Sequence, residues 1–222
     1  MHFGSFMHKV FELGYKCKTL EELTAIADEQ RSNHSFNDSF EPKKIKALKN
    51  FFNWNQKLGE TLGVEIVYET PLCSDANQNG VIDRIVKGSD DGLLIIDYKL
   101  GKREKTKVEL YTDNQLKGYD LWAMNEFKKA PDKIWCALYY PITDSFVSIQ
   151  YSLPQLNRYR QQMINEIWDI RKMKMNDMKP TRNNLCDWCS YQEYCPLFTQ
   201  PNVASRKLDE AIIQRKKSKK DK

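Results

Sequence analysis

Residues 80–119 read GVIDRIVKGSDDGLLIIDYKLGKREKTKVELYTDNQLKGY. Two apolar runs rich in β-branched residues, Val81–Val86 and Leu93–Ile96, stand on either side of the turn-forming segment Gly88–Gly92. Apolar runs separated by such a segment predict a β-hairpin. We therefore expect the two runs to pair as antiparallel neighbours and to form the centre of a sheet.

Charged side chains interrupt both predicted strands. A turn near the middle of the hairpin places Asp83 opposite, or nearly opposite, Asp97. Side chains alternate along a strand, so Asp97 and Lys99 share one face. Beyond the hairpin, Gln115 and Tyr119 have the i, i+4 spacing that puts them on one face of a helix. Charges in such positions are costly unless they pair or bind an ion, so a surface ion pair and an ion site are both open.

The order G-x-x-D, I-D-Y-K-x-G and Q-x-x-x-Y resembles the core of the PD-(D/E)XK nucleases, in their RecB-type branch. That branch includes nuclease domains of recombination helicases and CRISPR-associated exonucleases. Its members tend to carry a Gly-x-x-x-His-x-x-φ-Glu helix upstream, and residues 4–12, GSFMHKVFE, match it. The resemblance covers residues 4–119 and implies an α/β fold with a restriction-endonuclease-like core, a mixed central β-sheet flanked by helices.

The resemblance also implies an activity, that of a Mg²⁺- or Mn²⁺-dependent DNA exonuclease of the recombination or repair type. The implied catalytic residues are Asp83, Asp97, Lys99, Gln115 and Tyr119. The implied metal ligands are His8, Asp83, Asp97 and the main-chain carbonyl of Tyr98. Carboxylate oxygens are the ligands that Mg²⁺ and Mn²⁺ prefer. Lys99 would orient or deprotonate the attacking water.

Two further groups of charges accompany these motifs. Glu69, near the end of the predicted strand Gly63–Leu72, either supports the metal ligands or is a plain surface charge. A basic run follows the hairpin, and we expect it to contact DNA phosphates at the rim: Lys102, Arg103, Lys105 and Lys107. Single-stranded DNA ends are the expected substrate.

A cysteine cluster, CDWCSYQEYCP, occupies residues 186–196. The spacing C-x₂-C-x₅-C followed by proline resembles the C-terminal part of an iron–sulfur motif in several RecB-type nucleases. It implies a [4Fe–4S] cluster held by Cys186, Cys189 and Cys195. The motif's fourth cysteine precedes the histidine helix, where this sequence has none, so Cys17 is the nearest candidate. Thiolates suit zinc as well, and a zinc site or buried thiols remain alternatives.

Composition sets wider limits. The 222 residues carry a net charge of +5, with 41% hydrophobic and 29% charged residues, which is ordinary for a soluble globular protein. No apolar run approaches the length of a membrane span, and the N-terminal pattern is not that of a signal peptide, which predicts a cytoplasmic protein. Six cysteines in that compartment favour metal binding or thiols over disulfides. We predict a nuclease core at 1–180, an iron–sulfur segment packed on it at 181–200, and a basic, disordered tail at 201–222.

Amphipathic helices are predicted on both sides of the strands. Residues 3–13 form a helix whose core stripe is Phe3, Phe6, Met7, Val10 and Phe11. A second helix begins at Glu41–Pro42 and buries Ile45, Leu48, Phe51, Phe52 and Leu58. The predicted order of the middle region is β-β-β-α-β-β, and a last helix, from Pro154 to about Met173, turns Ile170 inward.

Two other functions fit the same residues. The chain would be a non-catalytic DNA-binding module that keeps the nuclease fold, or a structural subunit of a helicase–nuclease complex. The presence of Asp83, Asp97, Lys99 and His8 together argues against a decayed site. The sequence has no Gly-rich phosphate-binding motif, so a partner protein would have to supply any ATP-driven unwinding.

Overall fold

The computed structural model describes residues 2–34, 36–101, 103–174 and 178–198. The chain divides into two compact units, Met1–Glu166 and Ile167–Lys222. Lys102 and the predicted basic tail, 201–222, lie outside the described residues, and the predicted domain boundaries stay predictions. Among the described helices, none has the length and apolar character needed to cross a membrane.

The first unit is built on a five-stranded sheet in the order β1-β2-β3-β4-β5. The strands are β1 (Thr61–Cys73), β2 (Ala76–Lys87), β3 (Leu93–Tyr98), β4 (Ile134–Tyr140) and β5 (Ser145–Ile149). Strands β3 and β4 are parallel, and the other neighbouring pairs are antiparallel. This arrangement confirms the predicted mixed sheet and the predicted hairpin.

Within the described residues, six α-helices surround or join these strands. They are α1 (His2–Gly14), α2 (Leu20–Arg31), α3 (Glu41–Asn55), α4 (Lys107–Leu110), α5 (Asn114–Phe127) and α6 (Leu153–Lys172). A parallel pair of strands needs a crossover connection, and α4 and α5 form the one between β3 and β4. Helix α4 was not predicted, although its start is a capping box formed by Thr106 and Glu109.

A separate hydrophobic core covers each face of the sheet. On one face, helices α1, α2 and α3 bury the predicted stripe of α1, in which Phe6, Met7, Val10 and Phe11 are fully buried. On the other face, α4, α5 and the first part of α6 pack against the strands. One cavity at the end of β3 is lined by side chains from both α1 and α5.

Two positions predicted to be buried are exposed. Ile45 in α3 is 63% exposed and Ile170 in α6 is 61% exposed. The inward face of α3 includes Leu48 and Phe51 as predicted, and also Ala47 and Lys44, whose ammonium pairs with neighbouring carboxylates. Several helical phases fit the apolar residues of α3, and packing against α2 selects one of them.

Helix α5 places a carboxyl group, that of Asp120, in the core. Asp120 is fully buried, and neither of its side-chain oxygens has a hydrogen-bond partner among the described residues. Burial raises the pKa of Asp120 to about 8. A carboxyl group buried in this way is protonated in the folded state at neutral pH, whereas in the unfolded chain its pKa is about 3.9.

We expect the Asp120 carboxyl group to make stability depend on pH. Below about pH 4 both states are protonated, and as the pH rises towards 8 the unfolded chain alone loses the proton. The free energy of unfolding therefore falls as the pH rises, by up to about 5 kcal/mol over this window. Asp120→Asn should remove this slope in urea unfolding at pH 5 and pH 8. The exposed control Asp132→Asn should keep it, and equal slopes in wild type and Asp120→Asn would contradict the assignment.

Candidate active site

Three acidic side chains stand on three adjacent strands. Asp83 lies on β2 and Asp97 near the end of β3. The β2–β3 register pairs Arg84 with Ile96, which places Asp83 across from Asp97 as predicted. Glu65 lies on β1, and the residues on either side of it pair with those on either side of Asp83. The three carboxyl groups therefore form a row across the sheet.

Helix α1 brings a histidine to this row. His8 is half-buried, and its Nδ1 lies 3.2 Å from Asp83 Oδ1. The other oxygen of Asp83 accepts a hydrogen bond of 2.6 Å from the main-chain N–H of Tyr98. Ligand atoms of His8, Glu65 and Asp83 all lie within 4.8 Å of one another, the one such set of three within the described part of the chain. Imidazole and carboxylate donors at this spacing fit a divalent cation such as Mg²⁺ or Mn²⁺.

A closed ring of three hydrogen bonds and one ion pair joins the other four site residues. Lys99 Nζ lies 2.7 Å from Asp97 Oδ2 and donates to Gln115 Oε1 at 3.0 Å. Gln115 Nε2 donates to the Tyr119 hydroxyl at 2.6 Å, and that hydroxyl lies 3.0 Å from Asp97 Oδ1. The i, i+4 spacing on α5 is what lets Gln115 and Tyr119 act together. The ring fixes the direction of the ammonium group and of the carboxylate.

The site concentrates negative charge. Burial and the charge of Asp83 raise the pKa of Asp97 above its usual range, against the opposing effect of Lys99. Burial and the same charge raise the pKa of Glu65. For His8, burial lowers the pKa, but the hydrogen bond to Asp83 and the nearby carboxylates outweigh it and raise the pKa. Mutual repulsion of this kind is relieved when a cation binds between the carboxylates.

All of these site residues except Glu65 line a cavity of about 770 Å³. One wall carries the charged groups, and another is aromatic, formed by Phe3, Phe36 and Phe40. The rings of Phe3 and Phe40 stack with centroids 4.9 Å apart, and the Arg31 guanidinium lies 3.9 Å from the centre of the Phe36 ring. The cavity therefore combines an acidic floor with an apolar side wall, and we call this side the phenylalanine wall.

Every predicted catalytic and metal-site position lies at this cavity. The residues brought together are His8, Asp83, Asp97, Tyr98, Lys99, Gln115 and Tyr119. The Tyr98 side chain points the other way, as expected from strand alternation, and packs with Phe11 and Phe51. The individual roles proposed for these residues remain predictions.

Glu69 is not brought to the site. It is exposed on β1, four residues beyond Glu65, and its carboxylate accepts a hydrogen bond from Asn77 on the neighbouring strand. The carboxylate that sequence analysis missed is Glu65, although a charge between the apolar residues Val64 and Ile66 was a signal. Its φ of 48° lies in the left-handed region, which costs a non-glycine residue energy.

The predicted basic rim is largely paired with acids. Arg103 forms an ion pair with Glu109, and Lys105 Nζ lies 2.6 Å from Asp113 Oδ2. Lys107 is exposed at the first position of α4, and Lys102 lies outside the described residues. Pairing lowers the net charge that Arg103 and Lys105 offer to a phosphate, so their contribution to DNA binding stays a prediction.

The cysteine segment lies in the second unit. It contains two short 3₁₀ helices, Cys186–Trp188 and Gln192–Tyr194. Cys186 begins the first helix, Cys189 directly follows it, and Cys195 directly follows the second. Cys186 and Cys195 are half-buried and Cys189 is exposed. Among the described residues, the three sulfur atoms do not form a set within 4.8 Å of one another. Cys17, the predicted fourth ligand, is half-buried in the first unit.

The chain is similar to one protein family and to several solved structures. A family model described as the PD-(D/E)XK nuclease superfamily matches residues 1–196. Solved structures that resemble the chain include a protein from Eubacterium rectale provisionally named an exonuclease, with 13% identity, a TM-score of 0.49, and 84% of this chain and 71% of that one covered. Another is SSO0001, with 15% identity and a TM-score of 0.41, and the match covers 90% of this chain and 87% of that one. A search of curated proteins found no match.

Proposed function

The chain belongs to the PD-(D/E)XK nuclease superfamily, and we propose that it is a Mg²⁺- or Mn²⁺-dependent DNA exonuclease of the recombination or repair type. The observation that carries this proposal is the closed ring of three hydrogen bonds and one ion pair that joins Asp97, Lys99, Gln115 and Tyr119. A site that had lost its activity would no longer need all four members of the ring. The ring therefore favours an enzyme over the non-catalytic and structural alternatives.

The proposed metal ligands are Asp83, Asp97, His8 and Glu65, with the Tyr98 carbonyl as a further oxygen. A divalent ion bound there would lower the pKa of water and neutralise charge on the phosphate. Glu65 is an addition to the ligands expected from sequence, because its carboxylate lies in one donor set with His8 and Asp83. The histidine nitrogen is a softer ligand than a carboxylate oxygen and favours Mn²⁺ over Mg²⁺.

Lys99 and Tyr119 have separate tasks in this proposal. The Lys99 ammonium, fixed between Asp97 and Gln115, is placed to orient the attacking water or to hold the charge that develops on the phosphate. Tyr119 donates a hydrogen bond and does not ionise, because burial and the charges of Asp97 and Asp83 raise its pKa. Its single hydroxyl proton lies within reach of two acceptors, Asp97 Oδ1 at 3.0 Å and the Val81 carbonyl oxygen at 2.9 Å.

The proposed substrate is the end of a single DNA strand. The phenylalanine wall stands beside the acidic floor within one cavity. Bases in a duplex are stacked on one another and offer only their edges, whereas unpaired bases have flat apolar faces that lie against aromatic rings. Unpaired strand ends supply such bases, and a partner helicase would be one source of them.

Linear and circular DNA separate the proposed activity from its alternatives. Purified protein with Mg²⁺ or Mn²⁺ should shorten end-labelled single strands, cut duplexes more slowly, and leave circular single-stranded DNA intact. Cleavage of the circle would replace the exonuclease by an endonuclease. Binding without cleavage of any substrate would favour the non-catalytic module.

We also propose that Cys186, Cys189 and Cys195 hold a [4Fe–4S] cluster, with Cys17 as the fourth ligand. The support is the C-x₂-C-x₅-C-P spacing in a chain of this superfamily. Thiolates suit iron–sulfur clusters, and the cluster would have a structural role.

Replacing Cys189 by Ser should remove this cluster. Anaerobically purified wild type should be brown and contain about four iron atoms per chain with acid-labile sulfide, and Cys189→Ser should be colourless and less stable, since a bound cluster adds to folding free energy. Cys73→Ser, at a cysteine outside the motif, is the matched control and should stay brown. Cys17→Ser tests the fourth ligand alone. A colourless wild-type preparation with stoichiometric zinc would refute the cluster.

A further inference from the structure

A second cavity lies behind the Gln115–Tyr119 pair. Its volume is about 370 Å³, and it is bounded by the β1–β2 hairpin, α5 and the first part of α6. Val81, Gln115 and Tyr119 line both this cavity and the catalytic one. The Tyr119 hydroxyl, which lies 3.0 Å from Asp97, therefore stands between the two spaces.

Neutral hydrogen-bonding groups dominate the lining of this second cavity. Amide side chains come from Gln78, Asn79 and Asn114, and phenol groups come from Tyr68 and Tyr159. Glu166 is the one charged side chain among the described residues that line it. A phosphate would require cations or a row of donors, whereas amides and hydroxyls offer donors and acceptors together. That mixture matches the edges of a nucleobase.

The walls of this cavity depend on two glycines. A Cβ atom at Gly118 would lie 2.2 Å from Gln78 Nε2, and one at Gly80 would lie 2.8 Å from the Tyr68 ring. Gln78 Nε2 donates to the Tyr159 hydroxyl at 2.8 Å, while Gln78 Oε1 has no partner among the described residues. The two glycines thus leave the space that the Gln78 and Tyr68 side chains occupy in this wall, which contains Gln78 Oε1 as a buried acceptor.

We propose that this cavity, the nucleobase pocket, binds the base of an unpaired nucleotide adjacent to the phosphodiester bond that is cleaved. The inference rests on the proposed nuclease function, because it places the phosphate at Asp97 and Lys99. The volume lies within the range of about 300–1,000 Å³ typical of small-molecule sites. A paired base is held in the duplex stack and would have to leave it to enter, so the pocket adds to the preference for unpaired ends.

Oligonucleotides that lack a single base test the nucleobase pocket. A series of single strands carries one abasic tetrahydrofuran residue at successive positions from the labelled end. For wild type, kcat/KM should fall about tenfold when the missing base is the one that enters the pocket, as expected for the loss of two hydrogen bonds between base and pocket. Abasic residues elsewhere should have smaller effects. Equal kcat/KM for the intact strand and for every abasic strand would overturn the pocket.

Two exposed amides allow the pocket to be altered without touching the catalytic ring. Asn79 and Asn114 are both exposed and line the cavity. The double variant Asn79→Ala/Asn114→Ala should cleave the intact strand about tenfold more slowly than wild type. It should then show little further loss with the sensitive abasic strand. Asn125→Ala, an exposed asparagine on the same helix away from the cavity, is the matched control and should keep the wild-type pattern.

A binding measurement separates this inference from the proposed function. Wild type is titrated into labelled intact and abasic strands in Ca²⁺, which should not support cleavage, and fluorescence anisotropy reports the dissociation constants. Cleavage by wild type with no effect of any missing base would overturn the pocket and leave the nuclease intact. If wild type binds one abasic strand more weakly than the intact strand but cleaves no substrate in Mg²⁺ or Mn²⁺, the pocket stands and the nuclease function is overturned. Equal effects of the base on wild type and the double variant would also overturn the pocket.

Discussion

Asp97→Asn is expected to lower the rate of single-strand cleavage by about 10³-fold or more, and Lys99→Ala should have a comparable effect. Asparagine keeps the shape of the side chain but removes the negative charge that a divalent ion requires. Alanine at position 99 removes the ammonium group that pairs with Asp97 and bonds Gln115. The measurement is the initial rate of release of labelled nucleotides under saturating Mn²⁺.

Two exposed substitutions serve as controls for these variants. Asp132→Asn and Lys133→Ala change the same charges on the surface, away from the catalytic cavity. Both should cleave at the wild-type rate. Asp97→Asn should unfold in urea near the wild-type midpoint, because the removal of a buried charge near Asp83 offsets the weaker bond to Lys99. Cleavage by Asp97→Asn at the wild-type rate, with the fold intact, would move the active site elsewhere.

The core of the site was predictable because it depends on short-range spacing. Strand alternation put Asp97 and Lys99 on one face, the hairpin brought Asp83 across from Asp97, and the helical period brought Gln115 and Tyr119 together. Each of these steps needs only local geometry and one turn. The structure therefore reproduces the relations between these residues as the sequence indicated them.

Glu65 and the phenylalanine wall were not predictable in the same way. Glu65 joins the row through the register of β1 against β2, which a single sequence does not reveal. Phe36 and Phe40 lie in the connection between α2 and α3, and their place in the wall depends on ring contacts with Phe3 of α1. The same limit explains Ile45, where several helix phases were equally consistent with the pattern.

Removal of divalent metal is expected to abolish cleavage. EDTA should reduce the rate to background, and Mg²⁺ or Mn²⁺ should restore it, because the carboxylate row needs a cation both to bind phosphate and to acidify water. Ca²⁺ should bind without restoring activity, since its flexible coordination and weaker acidity make it a poor activator. Full activity in EDTA would refute metal dependence.

Binding of Ca²⁺ can be followed without any turnover, which tests the ligand set itself. A ligand that binds only the folded state raises the melting temperature in proportion to the logarithm of its concentration. Wild type should therefore melt higher in Ca²⁺, and Asp83→Asn should lose most of that shift. Glu65→Gln tests whether Glu65 is a metal ligand together with His8 and Asp83. If Glu65 is a ligand, Glu65→Gln should need about tenfold more Ca²⁺ for the same shift, whereas the exposed Glu69→Gln should match wild type. An unchanged Ca²⁺ requirement in Glu65→Gln would remove Glu65 from the metal ligands while leaving Asp83 and His8 in place.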